Sequence, residues 1–160
     1  EIKFKISYKQ KFIEYSPLAS EYFKTIINKI KLNNGGILII DYAYIEKEMK
    51  NTLQAVSKHK YCDVLNGFRN SDITYNLSFD LINKIIKKLS PCSSLCTTQK
   101  EFLTKLGILN RAEILSKNMS FSKKADIYFR IKRLIDETQM GHLFKVMFIT
   151  NHKNKFKLGF

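Results

Sequence analysis

The strongest constraint in this sequence is the junction Asn33-Asn34-Gly35-Gly36-Ile37-Leu38-Ile39-Ile40-Asp41. Upstream of it, Leu18, Ala19, Tyr22, Phe23, Ile26, Ile27 and Ile30 recur at three- and four-residue spacing, which predicts an amphipathic helix over 17–32. Ser16-Pro17 starts that helix, because Ser can cap and Pro suits the first helical position. Asn and Gly tolerate the left-handed backbone of a helix end, so Asn33 to Gly36 stop it. Downstream, four apolar residues run without a break, which reads as a parallel strand buried on both faces. A helix turning into such a strand is half of a βαβ unit, and the expected class is α/β. Ligands of open α/β sheets bind beyond the carboxyl ends of the strands, which puts Asp41 beside any functional cleft. A structural carboxylate capping the next turn is the other reading of Asp41.

The remaining elements follow from the same local rules. Residues 1–8 alternate apolar and polar, as a short half-buried strand does. Residues 43–76 are polar and irregular and hold Gln54, His59, Lys60, Asp72 and Thr74; a connection of that length is functional or disordered. Ser78 caps a second amphipathic helix, with Phe79, Leu81, Ile82, Ile85, Ile86 and Leu89 inward, and Pro91 ends it. Ser93 to Thr97 suits a short strand. Thr98-Gln99-Lys100-Glu101 is a capping box opening a short helix closed by Gly107. A helix is expected over 111–118. Another starts at Ser122 and buries Tyr128, Ile131, Leu134 and Ile135. The last strand covers 143–149. The sequence has no internal repeat or linker, and 160 residues suit one domain.

Charge is the next most visible feature: 28 basic against 14 acidic side chains, a net +14. Of the basic residues 24 are Lys and 4 are Arg, and Lys, Ile and Asn together make up 56 residues. All three are encoded by A/T-rich codons, so the charge reads mainly as compositional background. The lysines spread along the whole chain, whereas a nucleic-acid interface concentrates basic residues on one face. Cys62, Cys92 and Cys96 with three scattered histidines do not make a four-ligand zinc set, and no metal is expected. Three cysteines fit a reducing cytoplasm. No apolar run approaches the ~18–20 residues needed to cross a bilayer. The chain starts at Glu1 without a signal-peptide core, so a fragment or processed product is expected. Gly35-Gly36 precedes a strand, whereas dinucleotide-binding glycines follow one, and no G-x-G-x-x-G or G-x-S-x-G occurs. His59 is either a base or substrate ligand or an exposed loop histidine, and His142 reads as structural.

Five segments in order carry a resemblance. Gly35-Gly36 to Asp41-Tyr42 looks like a "GG-apolar-DYG" strand, and Asn51-Thr52-Leu53-Gln54-Ala55 with His59 like "DTLQA-x-x-x-H". Asp72-Ile73-Thr74 with Leu77-Ser78-Phe79 resembles "DLT-x-x-VDF". Thr98-Gln99 with Phe102-Leu103 and Leu106-Gly107-Ile108 resembles "TQ-x-x-FL-x-x-LGI". Arg133-Leu134 and Met140-Gly141 through Val146 resemble "RL…MG-x-LFKV". Together they resemble the MidA-type family of S-adenosylmethionine-dependent methyltransferases, which includes the mitochondrial arginine methyltransferase that assists assembly of respiratory complex I.

The resemblance implies a class I (Rossmann-like) methyltransferase fold, a mostly parallel sheet with antiparallel last strands and flanking helices. Ile37–Asp41 would be the fifth strand, and residues near 93–97 and 143–149 the antiparallel sixth and seventh. Residues 1–160 would then be the C-terminal part of the domain, with the glycine-rich half that binds S-adenosyl-L-methionine outside it. The implied activity is methylation of an arginine in a protein substrate, a complex I subunit by analogy, with a separate N-terminal half as a possible partner. The implied location is cytoplasmic, or the mitochondrial matrix in a eukaryote. Asp41 would serve catalysis, and Gln54, His59, Asp72 and Thr74 would line the substrate side; polar residues holding the long loop are the structural alternative. Three departures stand out: Ala43 replaces the glycine of DYG, Ser78 replaces the aspartate of VDF, and Ser90-Pro91-Cys92-Ser93-Ser94 replaces a Gly-rich approach. They leave a non-catalytic remnant of a split or degenerate gene as the alternative, with a basic nucleic-acid-binding module behind it.

Overall fold

The computed structural model describes residues 10–65, 70–151, 153 and 156–160. The strand expected over 1–8 lies outside the described residues. The first helix, α1 (Pro17–Asn33), is capped by Ser16, whose hydroxyl accepts from Ala19 N at 3.2 Å. It ends at Asn34, which takes the left-handed conformation (φ 52°) and returns its amide to Ile30 O. The chain then enters β1 (Gly36–Tyr44).

The main sheet has the order β5-β1-β7-β6, with β5 (Leu77–Ser78), β6 (Cys92–Thr98) and β7 (Phe144–Asn151). β1 is parallel to β5 only at Ala43 and Tyr44, and antiparallel to β7 from Gly36 to Tyr42. β6 is also antiparallel to β7. Three strands therefore share one direction and β7 alone is reversed. Of the two last strands expected to be antiparallel, β7 is reversed, while β6 points along β1 because β7 lies between them.

The continuous apolar run of β1 is not buried on both faces. Ile37 and Ile39 pack against the core, but Leu38 and Ile40 remain 45% and 47% exposed. Helices α1 and α2 (Phe79–Leu89) cover one face only, joining Ile27, Ile30, Phe79, Ile82 and Ile86 to Met147 and Ile149. Complete burial of such a side chain stabilises by about 1.5–3 kcal/mol, which makes this layer the energetic centre of the fold. Among the described residues, no strand pairs with Gly36–Tyr42 on the edge away from β7.

The segment expected to be irregular contains a second sheet. β2 (Gln54–Ser57) lies between β3 (Lys60–Cys62) and β4 (Asp72–Thr74), all antiparallel. Its strands are three or four residues long, too short for periodicity to reveal.

Helix α3 (Gln99–Lys105) starts as predicted, with Thr98 Oγ1 accepting from Glu101 N at 3.2 Å. The Glu101 carboxylate is taken by the Thr97 hydroxyl rather than by the Thr98 amide, so only half of the capping box forms. α4 (Ile108–Ser116) begins directly after Gly107, earlier than expected. α5 (Phe121–Ile135) buries none of its residues fully; Ile131, Leu134 and Ile135 are half-buried and Tyr128 is 45% exposed. It packs mainly against other helices, α3, α4 and α6 (Met140–Leu143), and forms an outer layer.

Candidate functional site

The chain turns from α1 into β1 and later re-enters the sheet through Tyr75, Asn76 and β5. That path leaves a cavity of about 210 Å³ between the segment before α1 and the start of α2. Phe23, Leu77, Leu81, Ile82 and Ile85 supply its apolar wall, and Glu14, Tyr15, Tyr75 and Ser78 its polar rim. A wider opening of about 400 Å³ shares Glu14, Tyr15, Ser16 and Tyr75 and adds Leu53.

One hydroxyl ties this region together. Thr52 Oγ1 donates to the Glu14 carboxylate, at 3.3 Å to Oε1 and 3.2 Å to Oε2, and accepts from Asn76 N at 3.0 Å. Gln10 adds a second tie, donating from Nε2 to Lys47 O at 3.0 Å and accepting from Met49 N at 2.7 Å. The loop after β1 is thereby fixed to the segment before α1.

The residues singled out from sequence do not converge at one point. Gln54 and Thr74 are partners in the β2–β4 register and share a hydrogen bond, Nε2 to Oγ1, of 3.1 Å. They adjoin Leu53 and Tyr75 and so flank the wider opening. Asp72 lies two residues along the same face, exposed, opposite Val56. His59 sits with Lys58 in the β2–β3 turn, where both have positive φ (62° for His59 and 48° for Lys58), and it is exposed. Asp41 belongs to the other sheet, three residues before the end of β1, where Oδ1 accepts from Tyr42 N at 2.7 Å. In register it faces Lys145, a buried residue whose Nζ donates to His142 O. Burial pushes the Lys145 ammonium below its usual range, opposed by the Glu46 charge.

Several motif residues turn out to be structural. Gln99 Nε2 donates to Leu134 O at 2.9 Å and joins α3 to the end of α5. Gly141 lies against the α5 terminus, and its amide donates to Asp136 O at 2.9 Å. Glu14, Tyr15, Thr52 and Tyr75, which line or order the cavity, were missed. The only sequence signal there was Thr52 within the motif-bearing segment.

Three glycines offer no backbone approach to a cofactor, because the chain itself packs against them. A Cβ placed on Gly36 would strike the Phe148 ring, on Gly141 the Ile135 carbonyl, and on Gly159 the Phe102 ring. Each close approach is filled by the chain itself. Among the described residues, no three His, Cys, Asp or Glu side chains converge as metal ligands, and no helix is long and apolar enough to cross a membrane.

An α/β domain with one reversed strand between two strands of common direction, flanked by helices, has a methyltransferase-like fold. The chain belongs to the family described as "Putative S-adenosyl-L-methionine-dependent methyltransferase", whose model matches residues 1–98. The mitochondrial protein arginine methyltransferase NDUFAF7 of Xenopus tropicalis is 28% identical over 134 residues, covering 83% of this chain and 31% of that protein. The chain thus spans about a third of the curated relatives it matches. Two crystal structures of Burkholderia thailandensis proteins share the fold. An uncharacterized one has a TM-score of 0.72 at 23% identity, over 91% of this chain and 40% of that one. The other, bound to S-adenosyl-homocysteine, has a TM-score of 0.70 at 24% identity, over 89% and 38%.

Proposed function

We propose that this chain is the acceptor-side, C-terminal part of an S-adenosyl-L-methionine-dependent methyltransferase that modifies arginine in a protein substrate. Family membership over residues 1–98 carries the reading. The relatives' name, protein arginine methyltransferase, supports the acceptor type. The edge of Gly36–Tyr42 that is unpaired among the described residues suits a sheet continued by further strands, and the exposed face with Leu38, Ile40 and Tyr42 suits a covering layer. A complex I subunit is the proposed substrate. The proposed location is the mitochondrial matrix, the relatives' printed names giving mitochondrial, or the cytoplasm in a bacterium.

S-adenosyl-L-methionine, held by the remainder of the enzyme, would supply the methyl group. The work of this chain would be to hold the acceptor. A guanidinium is cationic and planar, and hydrogen-bond acceptors orient it and take up the proton released from nitrogen. Exclusion of water and fixed orientation would provide most of the acceleration. Gln54 and Thr74, bonded to each other beside the opening, are proposed as acceptor-side positions. Asp72 and His59 lie further out on the same small sheet, and Asp41 is proposed to act from the strand side.

The test is transfer of labelled methyl from S-adenosyl-L-methionine to arginine of complex I subunits. The chain would be co-expressed with a polypeptide supplying the part of the relatives it lacks. Labelled methylarginine is the expected result. No transfer, with both parts folded together and cofactor bound, would overturn the reading and favour the non-catalytic remnant.

A further inference from the structure

We propose that Glu14, which lines the cavity together with Tyr15 and Tyr75, is the receptor for the cationic side chain of the acceptor, a guanidinium. The proposal rests on the methyltransferase reading for the identity of that cation and on the geometry for the site.

The charge pattern is the first argument. The chain carries twice as many basic as acidic side chains, 28 against 14, so cations are available to its carboxylates. Ion pairs among the described residues engage Glu46, Asp80, Asp126 and Glu137, all with Lys or Arg. Glu14 forms none among the described residues. A carboxylate offers about four lone-pair sites. Its one hydrogen bond among the described residues is the Thr52 hydroxyl, shared between its two oxygens. Because Thr52 accepts from Asn76 N, its own proton is directed at Glu14, and the carboxylate is held in one orientation. Both oxygens retain acceptor capacity for the paired N–H groups of a guanidinium.

The surroundings provide the second argument. Glu14 lines both the 210 Å³ cavity and the 400 Å³ opening. The inner cavity lies below the range usual for a drug-sized ligand, so it suits one side chain rather than a whole peptide. Its apolar wall would receive aliphatic carbons. Tyr15 and Tyr75 are 46% and 43% exposed at the rim, where ring faces attract a cation. Helices α1 and α2 both start here. Their first amides are capped by Ser16 and Ser78 at 3.2 and 3.3 Å, so the helix ends do not call for an added anion.

The experiment uses the full chain, ¹⁵N-labelled, titrated with acetyl-Gly-Arg-Gly-amide and with the citrulline peptide of the same shape and no charge. The arginine peptide should shift the amides of Glu14, Tyr15, Leu53 and Asn76 saturably, and the citrulline peptide should bind at least about tenfold more weakly. Glu14→Gln keeps an acceptor for Thr52 and removes the charge, and it should weaken the arginine peptide about tenfold with the remaining spectrum unchanged. Tyr75→Leu should weaken it about threefold and serves as the test should Glu14→Gln fail to fold. Equal binding of the two peptides, or affinity unchanged in either folded variant, overturns the proposal. Because binding is read rather than methyl transfer, its failure is distinguishable from failure of the methyltransferase reading: transfer with Glu14→Gln unaffected would sink only this site.

Discussion

Replacing Gly141 by alanine isolates what the Met140-Gly141 motif does. A Cβ there would lie 2.3 Å from the Ile135 carbonyl oxygen, 2.5 Å from its carbon and 2.8 Å from the Asp136 oxygen. Contacts below 3.0 Å are not accommodated by real Cβ atoms, and all three neighbours are backbone, so none can rotate away. The α5 terminus must separate from α6, which also strains the hydrogen bond from Gly141 N to Asp136 O. Overpacking of this kind costs about 1–3 kcal/mol, and a lost hydrogen bond adds about 0.5–1.5 kcal/mol. The expected loss is about 2–4 kcal/mol, a large part of a domain's usual total of about 5–15 kcal/mol. With a urea slope of about 2 kcal/mol/M, the unfolding midpoint should fall by about 1–2 M. The Gly35-Gly36 pair grades the same argument. Nothing lies within 4 Å of a Cβ on Gly35, so Gly35→Ala should stay within about 0.5 kcal/mol of the parent. On Gly36 the nearest atoms, at 2.8 Å, belong to the Phe148 ring, a side chain able to shift, and Gly36→Ala should cost about 1 kcal/mol. Equal midpoints for Gly35→Ala and Gly141→Ala would refute the reasoning.

Three further outcomes are expected. Phe79 is fully buried among Ile27, Ile82, Ile86 and Met147, so Phe79→Ala should lose about 3–5 kcal/mol in the same urea assay, and Phe79→Leu far less. Lys58 and His59 occupy the left-handed turn of the β2–β3 hairpin, where non-glycine residues are strained by roughly 1 kcal/mol each. The Lys58→Asn, His59→Gly pair should therefore raise Tm by a few degrees, and a fall in methyl transfer would show that His59 serves the substrate. The Lys50 ammonium, 2.6 Å away, holds the Glu46 carboxyl down to about 2. Its folded pKa is lowered, so its stabilisation is complete above the ordinary carboxyl value and disappears as pH falls toward 2. The pair is exposed and should contribute under about 1 kcal/mol, shrinking with salt, which an NMR titration of Glu46 and of Glu46→Gln stability would check.

What the sequence determined by itself is the local grammar of the chain. Ser16-Pro17, Asn34, Ser78, Thr98 and Gly107 mark element boundaries because each satisfies or bends the backbone within a few residues of itself. The ordered motifs placed the chain in its family for a related reason. Gln99 and Gly141 answer to packing demands that admit few residue types. What only the tertiary structure decided is non-local. The reversal of β7, the one-sided cover of β1 and the short β3-β2-β4 sheet depend on which elements lie alongside, and strands of three or four residues carry too few positions to show a period. The cavity is the clearest case. Glu14 and Thr52 are 38 residues apart, and Thr52 and Asn76 are 24 apart, yet one hydroxyl joins them. Each alone is an ordinary polar residue in a polar stretch. A carboxylate becomes a candidate cation receptor only when folding sets it over an apolar pocket and leaves its charge unmatched.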